Sequence, residues 1–441
     1  MTKLLIKMTN EEIDEFIGKH LPVKALEKRK YGEVFTPPAL ILKMLDLFPK
    51  SVWSNPDLKW LDPSCGTGNF MILIYQRLMT GLTKAFSKED ERSEHIIKNM
   101  LYMVELNSKN VGICRQLFGS DANIVCSDFL ADKKFFSSNL ISVSDSDSEI
   151  KFDCIIGNPP FQEDTDMKGP GGKSKLYERI FIKSLDNMLK TGGYLSFIVP
   201  DNMFSGNGNV AYNAMIKNHV EFVSFNDENQ SFFPGIQQTV CYFFMKKTGS
   251  NSSLIEDNDG HHFKLQLEDR PVNPVRNWTL HIEKLVKKYI GNVKNDAVYN
   301  RGKPLSSYNG TKYSVIYTPS KKLRTNKLDS AVGLGIRKAV IFAISPKLEY
   351  EMDYTGKYGV GPNTFYIPFK TMEQGRHLDA FLKSDHYKLL ASACRTSRQF
   401  LKIGFIQHLK MEKIAGHGVT RKTRGTVNRR RFKRNRTMKS K

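Results

Sequence analysis

The 441 residues suffice for two or three domains, and a 40% hydrophobic content can build a sizeable core. The formal net charge of +22 favours polyanionic partners, nucleic acid above all. No apolar run approaches the roughly 20 residues of a membrane helix, and the mixed stretch Met1 to Met8 has too little apolar length for a signal peptide. The six cysteines are scattered with no Cys-x-x-Cys pair, which argues against a zinc ribbon or a disulfide framework. An intracellular, cytoplasmic protein without a metal centre is expected.

Residues 1–30 read as a polar, helical N-terminal extension closed by Lys28-Arg29-Lys30. Residues 31–250 alternate strand-like and helix-like stretches, the rhythm of a parallel α/β sheet. Trp60-Leu61-Asp62 ends a first strand, and Phe70, Ile74 and Leu78 recur at helical spacing behind it. Leu101–Glu105, Ile124–Ser127, Phe152–Ile156 and Tyr194–Val199 read as four further strands. Leu176–Leu189 reads as a helix stopped by Gly192-Gly193. Ser142–Glu149 is expected as a solvated loop. The polar, aperiodic stretch Thr248–Asp259 is expected to be the domain boundary. A second region, 260–415, mixes aromatics with Lys and Arg and lacks a βαβ rhythm. From Gly416 the chain reads as a disordered basic tail. Residues 421–441 carry eleven Lys or Arg and no acid, half of the net charge.

Two stretches carry chemistry. In Leu61-Asp62-Pro63-Ser64-Cys65-Gly66-Thr67-Gly68-Asn69-Phe70, a strand, a glycine turn and a helix start follow one another. Gly66 and Gly68 let backbone approach a ligand, and the helix offers free N–H groups. A phosphate-binding turn would have a third glycine where Met71 stands. Asp62 would repel phosphate and suits a cationic amine or a sulfonium-bearing amino acid. Glu105, at the next strand end, is placed to accept from ribose hydroxyls. Asp128 follows the third strand and can accept from an amino group on adenine. The second stretch is Gly157-Asn158-Pro159-Pro160-Phe161, directly after an apolar strand. Two prolines fix φ and remove two donors, which makes a stiff extended turn. The Asn158 amide oxygen and the Pro159 carbonyl are then acceptors beside the aromatic Phe161, a combination that suits an exocyclic amino group on a planar ring.

These motifs, in this order over about 31–247, resemble the gamma class of S-adenosylmethionine-dependent N6-adenine DNA methyltransferases. The resemblance implies a doubly wound, Rossmann-like methyltransferase sheet followed by a C-terminal α+β target-recognition domain at 260–415. Gly32-Glu33-Val34-Phe35-Thr36-Pro37-Pro38 looks like the family's opening motif, with Thr36 near the methionine carboxylate. By the same likeness Asp62, Ser64, Gly66 and Gly68 surround the methionine moiety and Glu105 holds the ribose. Asp128-Phe129 meets the adenine, and Phe181 packs on it. Asn158, Pro159, Pro160 and Phe161 form the catalytic motif. Phe232-Phe233-Pro234 looks like the late motif, with Phe233 expected to stack on an extruded base. The resemblance implies S-adenosyl-L-methionine as cofactor and double-stranded DNA as partner. Asn rather than Ser before the prolines favours adenine over N4-cytosine. RNA base-amino methylation, protein glutamine methylation and a silent nucleic-acid-binding relative are the alternatives.

Three other motifs are weaker. Gly169–Ser174 hints at a Walker loop, but Met167 stands where a glycine is required, so a loop over the active site is expected instead. His261-His262 has no third ligand at helical spacing. No segment ahead of the core could house a nuclease, so a solitary methyltransferase is expected. In the second region, Lys357–Gly361 and Arg395–Phe400 mix groups able to read base edges and neutralise phosphates. The tail, with Arg429–Arg434, is expected to bind nucleic acid without regard to sequence, or to direct the chain to a nucleus in a eukaryotic host.

Overall fold

A computed structural model of the chain describes residues 36–131, 135–136, 150–161, 175–206, 209–233, 239–302, 305–318, 322–327, 329–345, 347–395 and 400–416. The N-terminal extension, Gly32–Phe35, the loops expected at 142–149 and 169–174, Pro234, residues 396–399 and the basic tail lie outside them.

Helix α1 (Pro38–Leu45) is followed by β1 (Trp60–Asp62), α2 (Asn69–Gly81), α3 (Glu89–His95), β2 (Leu101–Glu105), α4 (Ser108–Phe118) and β3 (Asn123–Cys126). Next come β4 (Phe152–Gly157), α5 (Leu176–Lys183), β5 (Leu189–Pro200), α6 (Val210–Met215), β6 (His219–Ser224) and β7 (Val240–Lys246). One nine-stranded sheet runs β3-β2-β1-β4-β5-β7-β6-β8-β9, with β8 (Ser253–Glu256) and β9 (His262–Leu265) at its far edge. β3, β2, β1, β4 and β5 pair in parallel. β7 runs antiparallel to both β5 and β6.

Central parallel strands are covered on both faces, which is why β1, β2 and β4 read as near-continuous apolar runs rather than as alternating ones. Their pleat still sorts side chains by face. Trp60, Met103, Cys154 and Ile156 join the core under α1, α2 and α4. Leu61, Val104, Phe152 and Ile155 join the opposite core under α5 and α6. Each such side chain contributes about 1.5–3 kcal/mol on burial.

Two expectations are corrected. The helix expected over Leu176–Leu189 is α-helical only to Lys183. A wider π-type turn, Ser184–Met188, follows, and Leu189 already belongs to β5. Gly192-Gly193 therefore does not stop a helix. The pair forms an irregularity where Leu189 to Tyr194 lies opposite Phe152 to Cys154. Gly192 has φ +81°, and a Cβ on Gly193 would come 2.9 Å from the Asp153 carbonyl oxygen, so the tight crossing requires glycine. The second correction concerns the expected boundary, Thr248–Asp259. It contains β8, paired in parallel with β6, and β9 then folds back on β8. The sheet thus continues to Leu265. Ser253 and Ile255 are buried while Leu254 and Glu256 between and after them are half-buried, a half-covered pattern that the polar composition of the stretch hid.

The second region is α+β. β10 (Val298–Asn300), β16 (Thr364–Pro368), β13 (Lys338–Phe342) and β14 (Tyr350–Asp353) form one antiparallel sheet. β12 (Lys322–Asn326), β11 (Tyr313–Thr318) and β15 (Gly359–Val360) form a mixed sheet, in which β11 is antiparallel to β12 and parallel to β15. Helices α7 (Leu280–Tyr289), α8 (Met372–Lys383), α9 (Asp385–Ala393) and α10 (Ile403–Gln407) pack with the four-stranded sheet around Tyr289, Phe365, Phe381 and Phe405. Helix α8 opens on a capping box between Thr371 and Gln374.

The Lys338–Asp353 pair joins the ends of β13 and β14. Lys338 Nζ donates to Asp353 Oδ2 at 2.7 Å and to the Ile336 and Tyr358 carbonyls, and both side chains are buried. Asp353 also accepts from the Thr355, Gly356 and Tyr358 amides, which organises the loop to β15. Removing one member leaves the other charge buried and unpaired. Asp353→Ala is expected to destabilise the protein by about 3–5 kcal/mol, checked by denaturant unfolding. A loss within about 0.5 kcal/mol, the scale of an ordinary surface substitution, would contradict this.

Candidate active site

Asp62, Ser64, Gly66, Glu105, Asp128 and Asn158 lie at or just beyond the carboxyl ends of β1, β2, β3 and β4, where ligands of open α/β sheets sit. Gly66 (φ +55°) and Gly68 (φ +90°) turn the chain from β1 into α2. Open space faces Gly66, while a Cβ on Gly68 would crowd Phe118 at 3.0 Å. One glycine thus clears room for a ligand, and the other lets the turn pack on α4.

Asp62 is buried at the base of this turn. Its Oδ1 accepts from the Ser64 amide at 3.0 Å, while its Oδ2 and the Ser64 Oγ are buried with no hydrogen-bond partner among the described residues. Burial foremost, with repulsion from Glu105, pushes the Asp62 carboxyl up to about 8 against the pull of the Ser64 amide. Glu105 accepts from the Gly66 amide at 2.8 Å through Oε2 and from the Asn107 amide at 2.6 Å through Oε1. It braces the glycine turn directly, a role that strand-end position alone did not suggest.

The proline turn lies against the same carboxylate. A Cβ on Gly157 would stand 2.7 Å from Asp62 Oδ1, so only glycine lets β4 deliver Asn158 beside the acid. Asn158 Nδ2 donates to Thr36 Oγ1 at 3.1 Å, and Thr36 is itself buried. Residues far apart in the chain are thus joined in one site: Thr36, Asp62, Glu105 and Asn158. Phe161 is half-buried, with its ring edge-on to Tyr177 at 6.1 Å. The Tyr177 hydroxyl donates to Asn202 Oδ1 at 2.8 Å, and this places the end of β5 beside the motif.

Other expected residues sit differently. Asp128 is exposed and its Oδ1 accepts from the Leu130 amide at 2.8 Å, closing a local turn. The Phe129 ring is buried and stacked on Phe135 at 5.6 Å. Phe181 has no exposed surface and packs edge-on against Phe243 at 5.8 Å in the core under α5, so it is a core residue and not a stacking face. Phe233 is likewise buried in the core beneath α1 and α2. Its neighbour Phe232 keeps surface, with Lys43 Nζ 5.7 Å from its ring centroid. Which of two adjacent aromatics turns inward depends on the turn before β7, and composition carries no sign of it. Among the described residues, Asp257, Asp259 and His261 could approach one ion. However, Asp257 Oδ1 already accepts from the Asp259 and His261 amides, as in an ordinary turn.

The large sheet, parallel from β3 through β5 with β7 and β9 reversed, and a glycine turn walled by Asp62 and Glu105 together make an α/β domain with its candidate site at the strand ends. Residues 59–233 match the model of the Eco57I restriction-modification methylase family. The chain is 25% identical over 324 residues to an uncharacterised adenine-specific methylase of Mycoplasma pneumoniae, an alignment that covers 55% of this chain and 75% of that one. It is 25% identical over 231 residues to the modification methylase CviBIII of Paramecium bursaria Chlorella virus NC1A, covering 50% of this chain and 51% of that one. It therefore spans three quarters of the first relative and about half of the second. Among solved structures, the Type IIL restriction-modification enzyme MmeI, solved in complex with DNA, shares the fold with a TM-score of 0.51 at 13% identity. That likeness covers 82% of this chain and 65% of that one. No helix among the described residues is long and apolar enough to cross a membrane.

Proposed function

We propose that the chain transfers a methyl group from S-adenosylmethionine to N6 of an adenine flipped out of double-stranded DNA. The observation that carries this reading is the hydrogen bond from Asn158 Nδ2 to Thr36 Oγ1. It commits the amide's donor end to the protein and leaves Oδ1 to accept from a substrate N–H. With the Pro159 carbonyl as second acceptor, the turn holds both hydrogens of an exocyclic amine. That draws the nitrogen toward tetrahedral geometry and frees its lone pair, which is otherwise delocalised into the ring. No strong base is needed, because the amine sheds its proton after methylation. The gain is positioning and electrostatics.

The cofactor fits the residues present. S-adenosylmethionine supplies an electrophilic methyl on a sulfonium. Asp62 Oδ2 and Ser64 Oγ, buried without a partner among the described residues, suit its ammonium and carboxylate end, and Glu105 closes β2 where an acid of such sheets meets ribose hydroxyls. Asp128, exposed at the end of β3, remains able to accept from the adenine amino group. Extruding a base costs a few kcal/mol. Stacking on Phe161 and on Phe232, which takes the role expected of Phe233, recovers about 1–3 kcal/mol per base. Of the region expected at 260–415, the part beyond Leu265, where the large sheet ends, is proposed as the target-recognition region, supported by the basic balance of the chain.

The test is to incubate the full chain with methyl-labelled cofactor and, separately, duplex DNA, RNA and protein, then digest and identify the product. N6-methyladenine in DNA is expected. Label confined to RNA or to protein would overturn the proposal in favour of one of the alternatives.

A further inference from the structure

The second region meets the large sheet at the edge where the proline turn sits. Asp201 directly follows β5 and is buried, and its Oδ2 accepts from Thr239 Oγ1 just ahead of β7. Basic residues of the second region converge beside it. The Arg276 amide donates to the Ala393 carbonyl at the end of α9. Two residues later, Arg395 pairs with Leu401 in an antiparallel bridge, and Lys402 comes next. Arg276 and Lys402 both lie within electrostatic reach of Asp201, and Lys175 lies within reach of Lys402.

This cluster has more positive charge than one acid can neutralise. Lys402 Nζ and Arg276 Nε are buried with no hydrogen-bond partner among the described residues. Sequestering an unpaired ammonium costs several kcal/mol, and fold stability does not require it. The spare valences are all donors, which is the specification of an anion site. The cluster also lies close to the proposed base pocket. Asn202, adjacent to Asp201, accepts from Tyr177 OH, and the Tyr177 ring meets Phe161. An anion held here would sit one layer of side chains from the ring proposed to stack on the target base. Burial raises the Asp201 carboxyl, the direction that lessens its repulsion of such an anion.

We propose that Lys402 and Arg276 form a binding site for a phosphodiester of the nucleic-acid strand that carries the target base. The inference rests on the methyltransferase reading above. It adds a point at which the second region would grip the strand next to the extruded nucleotide, so that docking of the two regions and base extrusion share one contact.

The experiment measures binding of the full-length enzyme to a short duplex containing the sequence it methylates, as a function of salt, beside cofactor affinity and thermal stability. Each of Lys402→Gln and Arg276→Gln is expected to lower the slope of log K against log[salt] by about 0.9, the increment for one phosphate contact. Cofactor affinity should stay unchanged, and Lys402→Arg should restore the slope. Folded Lys402→Gln protein with wild-type slope and affinity would overturn the inference. If Lys402→Gln does not fold, the pH dependence of wild-type binding decides. Burial pushes the Lys402 ammonium down to about 8, and the groups facing it are Asp201, Arg276, Lys175 and Cys394, whose thiol burial raises to about 12. Duplex affinity should then fall as pH rises through about 8, and Lys402→Arg should remove that fall. A fall of equal size in Lys402→Arg would count against the site. A wild-type enzyme that methylates no nucleic acid would instead sink the methyltransferase reading.

Discussion

Asn158→Ala should slow methyl transfer by orders of magnitude while leaving cofactor binding in place. The side chain does its work through one amide, whose Nδ2 is held by Thr36 Oγ1 and whose Oδ1 is left for the substrate. Truncation removes an acceptor that matters most as the amine takes on positive charge. By analogy with the loss of one preorganised transition-state hydrogen bond, kcat should fall about 10²–10³-fold. Single-turnover methylation and calorimetric titration of S-adenosylmethionine separate the two effects. Thr36→Ser keeps a hydroxyl at the same place and should retain most of the rate. A rate within tenfold of wild type for Asn158→Ala would mean that another group accepts the amine's hydrogens.

The second large effect is on cofactor affinity. The Asp62 carboxyl titrates near 8, raised by burial first and by Glu105 next, with the Ser64 amide opposing. Below that pH it is mostly neutral and offers no charge to an ammonium. If binding requires the carboxylate, apparent affinity scales with the ionised fraction, so it should tighten about fiftyfold from pH 6 to pH 8 and level off above. Asp62→Asn should bind weakly and without this dependence. Stability without ligand runs the other way. The unfolded chain releases this proton near the ordinary carboxyl value of 3.8, whereas the folded chain keeps it to about 8. The folded state therefore holds more protons in that window, and Asp62's contribution to stability falls as pH rises across it. Cofactor affinity that is flat from pH 6 to 8 would remove Asp62 from the ammonium site.

Much of this was legible in the chain because backbone constraints are local. Proline and glycine restrict or extend φ wherever they occur, so Gly66, Gly68 and the Pro159-Pro160 turn announce their conformations without reference to distant residues. The order of strand-end acids placed Asp62, Glu105 and Asp128 at one edge of a sheet once a parallel topology was assumed. The β5 start, β8 and β9 were misread because the first depends on a crossing with Asp153 and the others on a half-covered sheet edge. Neither condition leaves a periodic trace.

By itself, the sequence determined the α/β rhythm, the acid-walled glycine turn and the stiff Asn-Pro-Pro-Phe acceptor, since each follows from residue type and short spacing. Tertiary structure alone decided the rest. It turned the donor end of the Asn158 amide onto Thr36, put Gly157 against Asp62, and buried Phe181 and Phe233 while leaving surface on Phe232. It also left Lys402 Nζ and Arg276 Nε without a hydrogen-bond partner among the described residues. Burial and hydrogen-bond direction depend on partners tens to hundreds of residues away, and no local pattern encodes them.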